Sequence, residues 1–337
     1  MIDYRSDTFT RPGPGMLQAM LQAETGDDVF GEDPSINKLE AMMADYFGKE
    51  AALYCPSGTM SNQIAIKVHT LPGDEVVCSN TAHVYIYEGG GIAFNAGAQV
   101  HAIAGDRGMI NAAQVEAAIN PDDVHKARTS LVCLENTSNR GGGCCYDWEE
   151  ILKIQAVCRQ HGLALHLDGA RLFNALVATG QDPKTYGQAF DSISVCLNKG
   201  MGCPMGSVLL GSASFIKEAR RIRKKLGGGL RQAGYMAATG IYAMEHNIQR
   251  LEEDHRHAKQ IAAALLKKSF TGHMLPVETN ILIFEVTGDW TPKTLTAHFK
   301  NEGILAMAIS PTQVRMVTHL DVTPDMVEKT CQVIEAM

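Results

Sequence analysis

Two residues, Asp168 and Lys199, have types and surroundings suited to chemistry. Each closes a short apolar run: Leu163–Leu167 leads into Asp168, and Ser192–Leu197 leads into Asn198-Lys199-Gly200. Such runs predict buried strands, each delivering a charged residue to its C-terminal end. In open α/β sheets ligands lie at that edge. An acid and a lysine delivered there together suit pyridoxal phosphate, which needs an amine for a Schiff base and an acid to keep its ring nitrogen protonated. Taken alone, Asp168 also suits a helix N-cap or an ion pair with Arg171, and Lys199 a solvated loop. The rest of the chain bears on that choice.

The elements that must position these residues are legible in outline. A short helix is expected over Met16–Ala23, then a polar loop at 26–35. Ser35 is the expected cap of a helix with apolar positions at Ile36, Leu39, Met42, Met43 and Phe47, closed by Gly48. Glu50–Tyr54 reads as a strand. Pro56-Ser57-Gly58-Thr59 opens a helix through His69, a turn whose amides and hydroxyls suit a phosphate, although ordinary N-caps look the same. Strands are expected at Glu75–Cys78, Gln99–Ile103 and Ser130–Leu134, with helices at Asn111–Ile119 and Asp147–His161. Ser207–Leu210 is expected antiparallel to the Lys199 strand, since only a tight turn separates them. Helices over Ala213–Leu226 and Gln232–Asp254 follow. The alternation from about 50 to 210 predicts a doubly wound, mostly parallel sheet. Beyond it, a helix (258–268), strands (280–286, 304–309, 313–318) and helices (292–302, 324–336) predict a smaller α/β unit, so the expected division is 1–254 and 255–337.

Composition narrows the function classes. The 337 residues are 45% apolar and 20% charged with a net charge of −7, ordinary for a globular protein of two units. The densest basic run, Arg220 to Lys225, is short and reads as a solvated helix face, not a nucleic-acid surface. Nine cysteines without CxxC or metal-type Cys/His spacing fit reduced thiols in the cytosol. The first residues lack the apolar core of a signal peptide, and no apolar stretch is long enough to span a bilayer.

With these segments in order, the sequence resembles the low-specificity L-threonine aldolases, within the aspartate-aminotransferase-like, fold-type I group of pyridoxal phosphate enzymes. The likeness runs from Asp3 to His319 and is carried by RSDT (5–8), GDDVFGEDP (26–34), PSGTMSN (56–62), LENT (134–137), HLDGARLFNA (166–175), NKGMG (198–202), GGGLRQAG (227–234) and VRMVTH (314–319). It implies a large domain on a seven-stranded-type sheet, a small C-terminal domain, and retro-aldol cleavage of threonine, allo-threonine or related β-hydroxy-α-amino acids to glycine and an aldehyde. It implies that Lys199 forms the Schiff base, Asp168 pairs with the pyridine nitrogen, Gly58 and Thr59 hold the phosphate, and Arg171 lies near the ring oxygen and the substrate carboxylate. Ser6 and Arg315 are implied carboxylate ligands. His83 is implied over the ring and near the substrate hydroxyl, as proton carrier or as a stacking ring. Of the other eleven histidines, His166 reads as a core residue. Lys224 and Arg231 are implied to reach a neighbouring subunit's cofactor in a homodimer or homotetramer. The chain departs from the family pattern at Ser138, where a histidine is common, and at Phe30, where tyrosine is usual. The paired Cys144-Cys145 is also unusual. Rival readings are a β-eliminating lyase or transaminase of the same fold, and a non-catalytic protein that only binds the cofactor.

Overall fold

The computed structural model describes all 337 residues. The first segment supplies β1 (Ile2–Asp3), α1 (Pro14–Leu21) and α2 (Pro34–Tyr46). Strands and helices then alternate through β2 (Ala51–Cys55), α3 (Gly58–His69), β3 (Glu75–Ser79), α4 (His83–Ile86), β4 (Gln99–Ile103), α5 (Ala112–Ala118), β5 (Thr129–Glu135) and α6 (Trp148–His161). They continue as β6 (Ala164–Gly169), α7 (Leu172–Thr179), α8 (Pro183–Gln188), β7 (Ser192–Cys196) and β8 (Ser207–Gly211). Helices α9 (Ala213–Lys225), α10 (Gly234–His246) and α11 (Leu251–Leu265) lead to the C-terminal part. That part holds β9 (Thr271–Met274), β10 (Ile281–Val286), α12 (Pro292–Asn301), β11 (Ile304–Leu305), β12 (Met307–Ala308), β13 (Gln313–Val317) and α13 (Pro324–Ala336).

The central sheet has seven strands in the order β2-β8-β7-β6-β5-β3-β4. Only β8 runs antiparallel to its neighbours; the others are parallel. The strands are nearly continuous apolar runs because both faces are covered. Adjacent residues serve opposite cores: Val132 belongs to the core that holds Leu39, Phe47 and Leu167, whereas Leu131 belongs to the one that holds Ile66 and Val76. From β3 the chain steps outward to β4, then returns past β3 to β5 and proceeds through β6 to β7. The reversal lies between β3 and β5, and in such sheets a crevice opens outside the carboxyl ends at that point.

A second core gathers Ile2, Tyr4, Ile261, Leu265, Phe284, Phe299 and Val314 around the antiparallel sheet β12-β13-β10-β9. The expected division at 254/255 falls inside α11, whose Leu251 belongs to the large core and whose Ala258 and Ile261 belong to the small one. The first strand belongs with the second core, since β1 pairs in parallel with β11.

Several local expectations are corrected. Asp33, not Ser35, caps α2 by accepting from Ile36 N, while the Ser35 hydroxyl donates to Glu24 O at 2.7 Å. The helix expected over 232–254 is broken, and Asn247 at the break donates from its side chain to Met201 O at 2.8 Å. The strand expected over 304–309 is two short pieces that pair with different partners, β1 and β13. No helix is long and apolar enough to cross a membrane.

Candidate active site

Strand β6 places Asp168 one residue before its end, and β7 stops three residues before Lys199. Both therefore sit at the carboxyl edge of the sheet. The Lys199 Nζ lies 3.1 Å from Cys196 Sγ. Burial works against the ammonium, but Cys196 and Asp7 outweigh it, with Arg171 opposing them, and the lysine pKa ends raised. A cavity of about 400 Å³ opens here, lined by Ser6, His83, Arg171, Lys199 and Arg315 among others. Five of the expected site residues thus meet in one cleft, together with Tyr87, Glu135 and Asn139, which the sequence reading did not single out as site residues.

Asp168 is buried beneath it. Its Oδ2 accepts from Asn62 Nδ2 at 2.9 Å and its Oδ1 from Ala170 N at 3.1 Å. The ionisable atoms of Asp168, Glu88 and His83 lie within 4.8 Å of one another. Glu88 is the unforeseen member: it accepts from His83 Nδ1 (3.0 Å), Asn62 Nδ2 (2.9 Å) and Gln63 Nε2 (2.6 Å). With Nδ1 committed to Glu88, a neutral His83 carries its free lone pair on Nε2. Burial works against the imidazolium, but Glu88, then Asp168 and Glu135, more than offset it, so His83 titrates above its ordinary value. Across the reversal between β3 and β5, Glu135 Oε2 accepts from His83 N at 2.7 Å. Burial and the Asp168 charge push Glu135 up to about 7.

The two arginines differ. Arg171 is buried and held in a two-pronged pair by Asp7, Nε to Oδ2 at 2.7 Å and Nη2 to Oδ1 at 2.8 Å. Burial would raise the Asp7 pKa, but Arg171 outweighs it and brings it down to about 2. Arg315, on β13, donates to Asn139 Oδ1 (2.9 Å) and Arg5 O (3.1 Å) and pairs with no carboxylate. Its Nε is buried without a partner. Burial, reinforced by the Arg171 charge, lowers its pKa to about 10. Ser6 faces the same cleft, its hydroxyl accepting from Thr8 N and Thr8 Oγ1.

Gly58 and Thr59 open α3 behind the Ser57 N-cap, where first-turn amides have no intrahelical acceptor. A Cβ on Gly58 would meet Cys196 Sγ at 2.5 Å, so glycine is what lets α3 approach β7. Lys224 and Arg231 do not line the cleft of their own chain. Lys224 is exposed, and Arg231 reaches Asp27 at 2.8 Å on the surface.

Ser138 is turned away from the cleft. It donates to Arg107 O at 2.9 Å, and Cβ atoms placed on Gly108 or Gly141 would come within 2.7 and 2.9 Å of its hydroxyl. Phe30 is solvent-exposed. Cys144 and Cys145 close the same loop: Cys144 O accepts from Ser138 N at 3.0 Å, and Cys145 N donates to Glu278 at 2.9 Å. Burial pushes their thiols up to about 11 and about 12, which leaves them unreactive.

Residues 3–288 match the model of the family described as Beta-eliminating lyase. The chain is 44% identical over 324 residues to the low specificity L-threonine aldolase of Escherichia coli K12, covering 96% of this chain and 95% of that one. Low-specificity L-threonine aldolase 1 of Arabidopsis thaliana is 40% identical over 96% of this chain and 92% of its own. In fold, it superposes on the Leishmania major threonine aldolase with a TM-score of 0.87 at 21% identity, over 100% of this chain and 99% of that chain. The chain is a fold-type I α/β protein and belongs to the beta-eliminating lyase family, among the low-specificity L-threonine aldolases.

Proposed function

We propose that the protein is a pyridoxal phosphate-dependent carbon–carbon lyase that cleaves L-threonine, L-allo-threonine and related β-hydroxy-α-amino acids to glycine and an aldehyde. The observation that carries this reading is the joint placement of Lys199, His83 and Arg315 on one cleft above buried Asp168. The donor set suits the cofactor: an amine at Lys199, a carboxylate at Asp168, and a helix start at Gly58 and Thr59 that glycine lets close in. When bound, the cofactor supplies a cationic ring that accepts the electron pair left at Cα.

The protein's own residues do the rest. Arg315, which pairs with no carboxylate and whose Nε has no partner, receives the substrate carboxylate beside Ser6 and Arg171. Asp7 keeps the Arg171 fork fixed. His83 Nε2 takes the proton of the β-hydroxyl as the Cα–Cβ bond breaks and the hydroxyl carbon becomes a carbonyl. Glu88 holds the other ring nitrogen and stabilises the imidazolium that forms. Lys199 would hold the cofactor through its amine, which lies 3.1 Å from Cys196 Sγ at the carboxyl edge of the sheet.

The proposal extends to a cytosolic enzyme of two units divided at α11, in which Lys224 and Arg231 serve the cofactor phosphate of a neighbouring copy. Exposure of both side chains supports that reading. Steady-state cleavage of threonine, allo-threonine and phenylserine, with product analysis, tests the activity. Glycine plus the matching aldehyde is expected; a keto acid product points to elimination or transamination instead.

A further inference from the structure

Asn62 lies where two carboxylates converge. Its Nδ2 stands 2.9 Å from both Glu88 Oε1 and Asp168 Oδ2, and its Oδ1 stands 3.1 Å from His166 Nε2. Two carboxylates can only accept when ionised, so the amide edge between them must be the NH2 group. The amide oxygen then faces His166 and can only accept, which requires a proton on His166 Nε2. His166 is fully buried on β6, and burial lowers its pKa to about 3, so it carries a single ring proton. Its Nδ1 must therefore accept, and its neighbour is the Ser192 hydroxyl at 2.8 Å. Having given its proton to Nδ1, Ser192 Oγ accepts from His69 Nε2, also at 2.8 Å. His69 is neutral too, lowered by burial to about 4, and its ring stacks on Phe215.

Every bond in this chain is polarised the same way, from His69 through Ser192, His166 and Asn62 to Asp168 and Glu88. His69 lines a separate cavity with Lys49 and Glu50 before β2, Leu163 before β6 and Asp191 before β7, at the opposite edge of the sheet from Lys199. We propose that Asn62 and His166 are positioning residues: a one-way hydrogen-bond chain through the sheet fixes the Asp168 carboxylate and, through Glu88, the His83 imidazole. One amide thereby couples the acid beneath the site to the histidine on its wall. Without the donor at His166 Nε2, the two carboxylates still orient the amide, but its oxygen is left buried and unpaired and the amide loses its anchor to β6.

The inference rests on the roles proposed above for Asp168 and His83, and its test is built so that the two can fail separately. Histidine labelled with 15N, in the cofactor-loaded enzyme, reports tautomer whether or not threonine is cleaved; the His166 signals are assigned by their loss in His166→Gln. Neutral His166 with its proton on Nε2 is expected between pH 6 and 9, and a proton on Nδ1 overturns the proposal. A variant series supplies the second reading. His166→Gln keeps a donor at the Asn62 end, whereas His166→Asn holds its amide nearer Ser192 and His166→Phe has none. The glutamine variant is expected to keep kcat within threefold of the parent. The other two should lose about tenfold or more in kcat, a common cost of removing an outer hydrogen-bond partner, with KM within twofold. Equal losses in all three would mean that the ring only fills space.

Discussion

Asp168 and His83 both lie beside Glu88, yet the proposed mechanism asks opposite services of them, one to stay anionic and the other to take and return a proton. Asp168→Asn keeps the shape but removes the charge and one of the two acceptors that Asn62 and Ala170 donate to. It should bind the cofactor and turn over about a hundredfold more slowly, roughly 3 kcal/mol of barrier; kcat within twofold of the parent would remove Asp168 from the electron-accepting role. For His83 the sign is set by its raised pKa. A base must be unprotonated, so kcat/KM should fall as pH drops through the raised value, with the acid limb lying above about 6.5. A pH profile of His83→Asn should lack that limb; its persistence assigns the proton transfer elsewhere. Ser138 shows the limit of motif comparison at this scale. The sequence marks it as the position of a missing histidine, but its hydroxyl donates to Arg107 O and it does not line the cleft.

Among the elements, the approach of α3 to β7 is the tightest constraint at the site. Gly58→Ala forces a Cβ onto Cys196 Sγ and should push back the helix start, weakening cofactor binding at least about tenfold by titration. Adding Cys196→Ala removes the opposing sulfur and should recover most of the loss; no recovery would mean that backbone conformation, not this overlap, is what glycine provides. The strands that carry Asp168 and Lys199, and the antiparallel β8 beside them, were legible from apolar runs ending in a charge. Glu88 and Asn62 were not, because neither lies in an apolar pattern and their importance is a matter of three-dimensional convergence. The break between α10 and α11 was equally hidden: 247–250 holds no glycine or proline, and a tertiary bond to Met201 O meets the chain there. Likewise β9, an edge strand reading Thr-Gly-His-Met, has no alternation to betray it.

For the whole molecule, the proposal that two chains make one site has a direct test. Subunit exchange between Lys199→Ala and Arg231→Ala chains tests the shared site. If Arg231 serves its neighbour, random pairing restores about a quarter of all sites; if it serves its own chain, no activity returns. The pairing of the first and last parts of the chain has a separate consequence. Arg171 is clamped by Asp7, β1 lies on β11, and Val317 N donates to Tyr4 O at 2.8 Å beside Arg315. During synthesis, the segment with Asp168 and Lys199 leaves the ribosome more than a hundred residues before Arg315 does. On the proposed roles, the residues that would hold the cofactor are therefore all synthesised before the arginine that would hold the substrate carboxylate. The opening residues must wait for the last strand, so on the proposed roles the carboxylate-binding side is the last part of the chain's own cleft to be assembled.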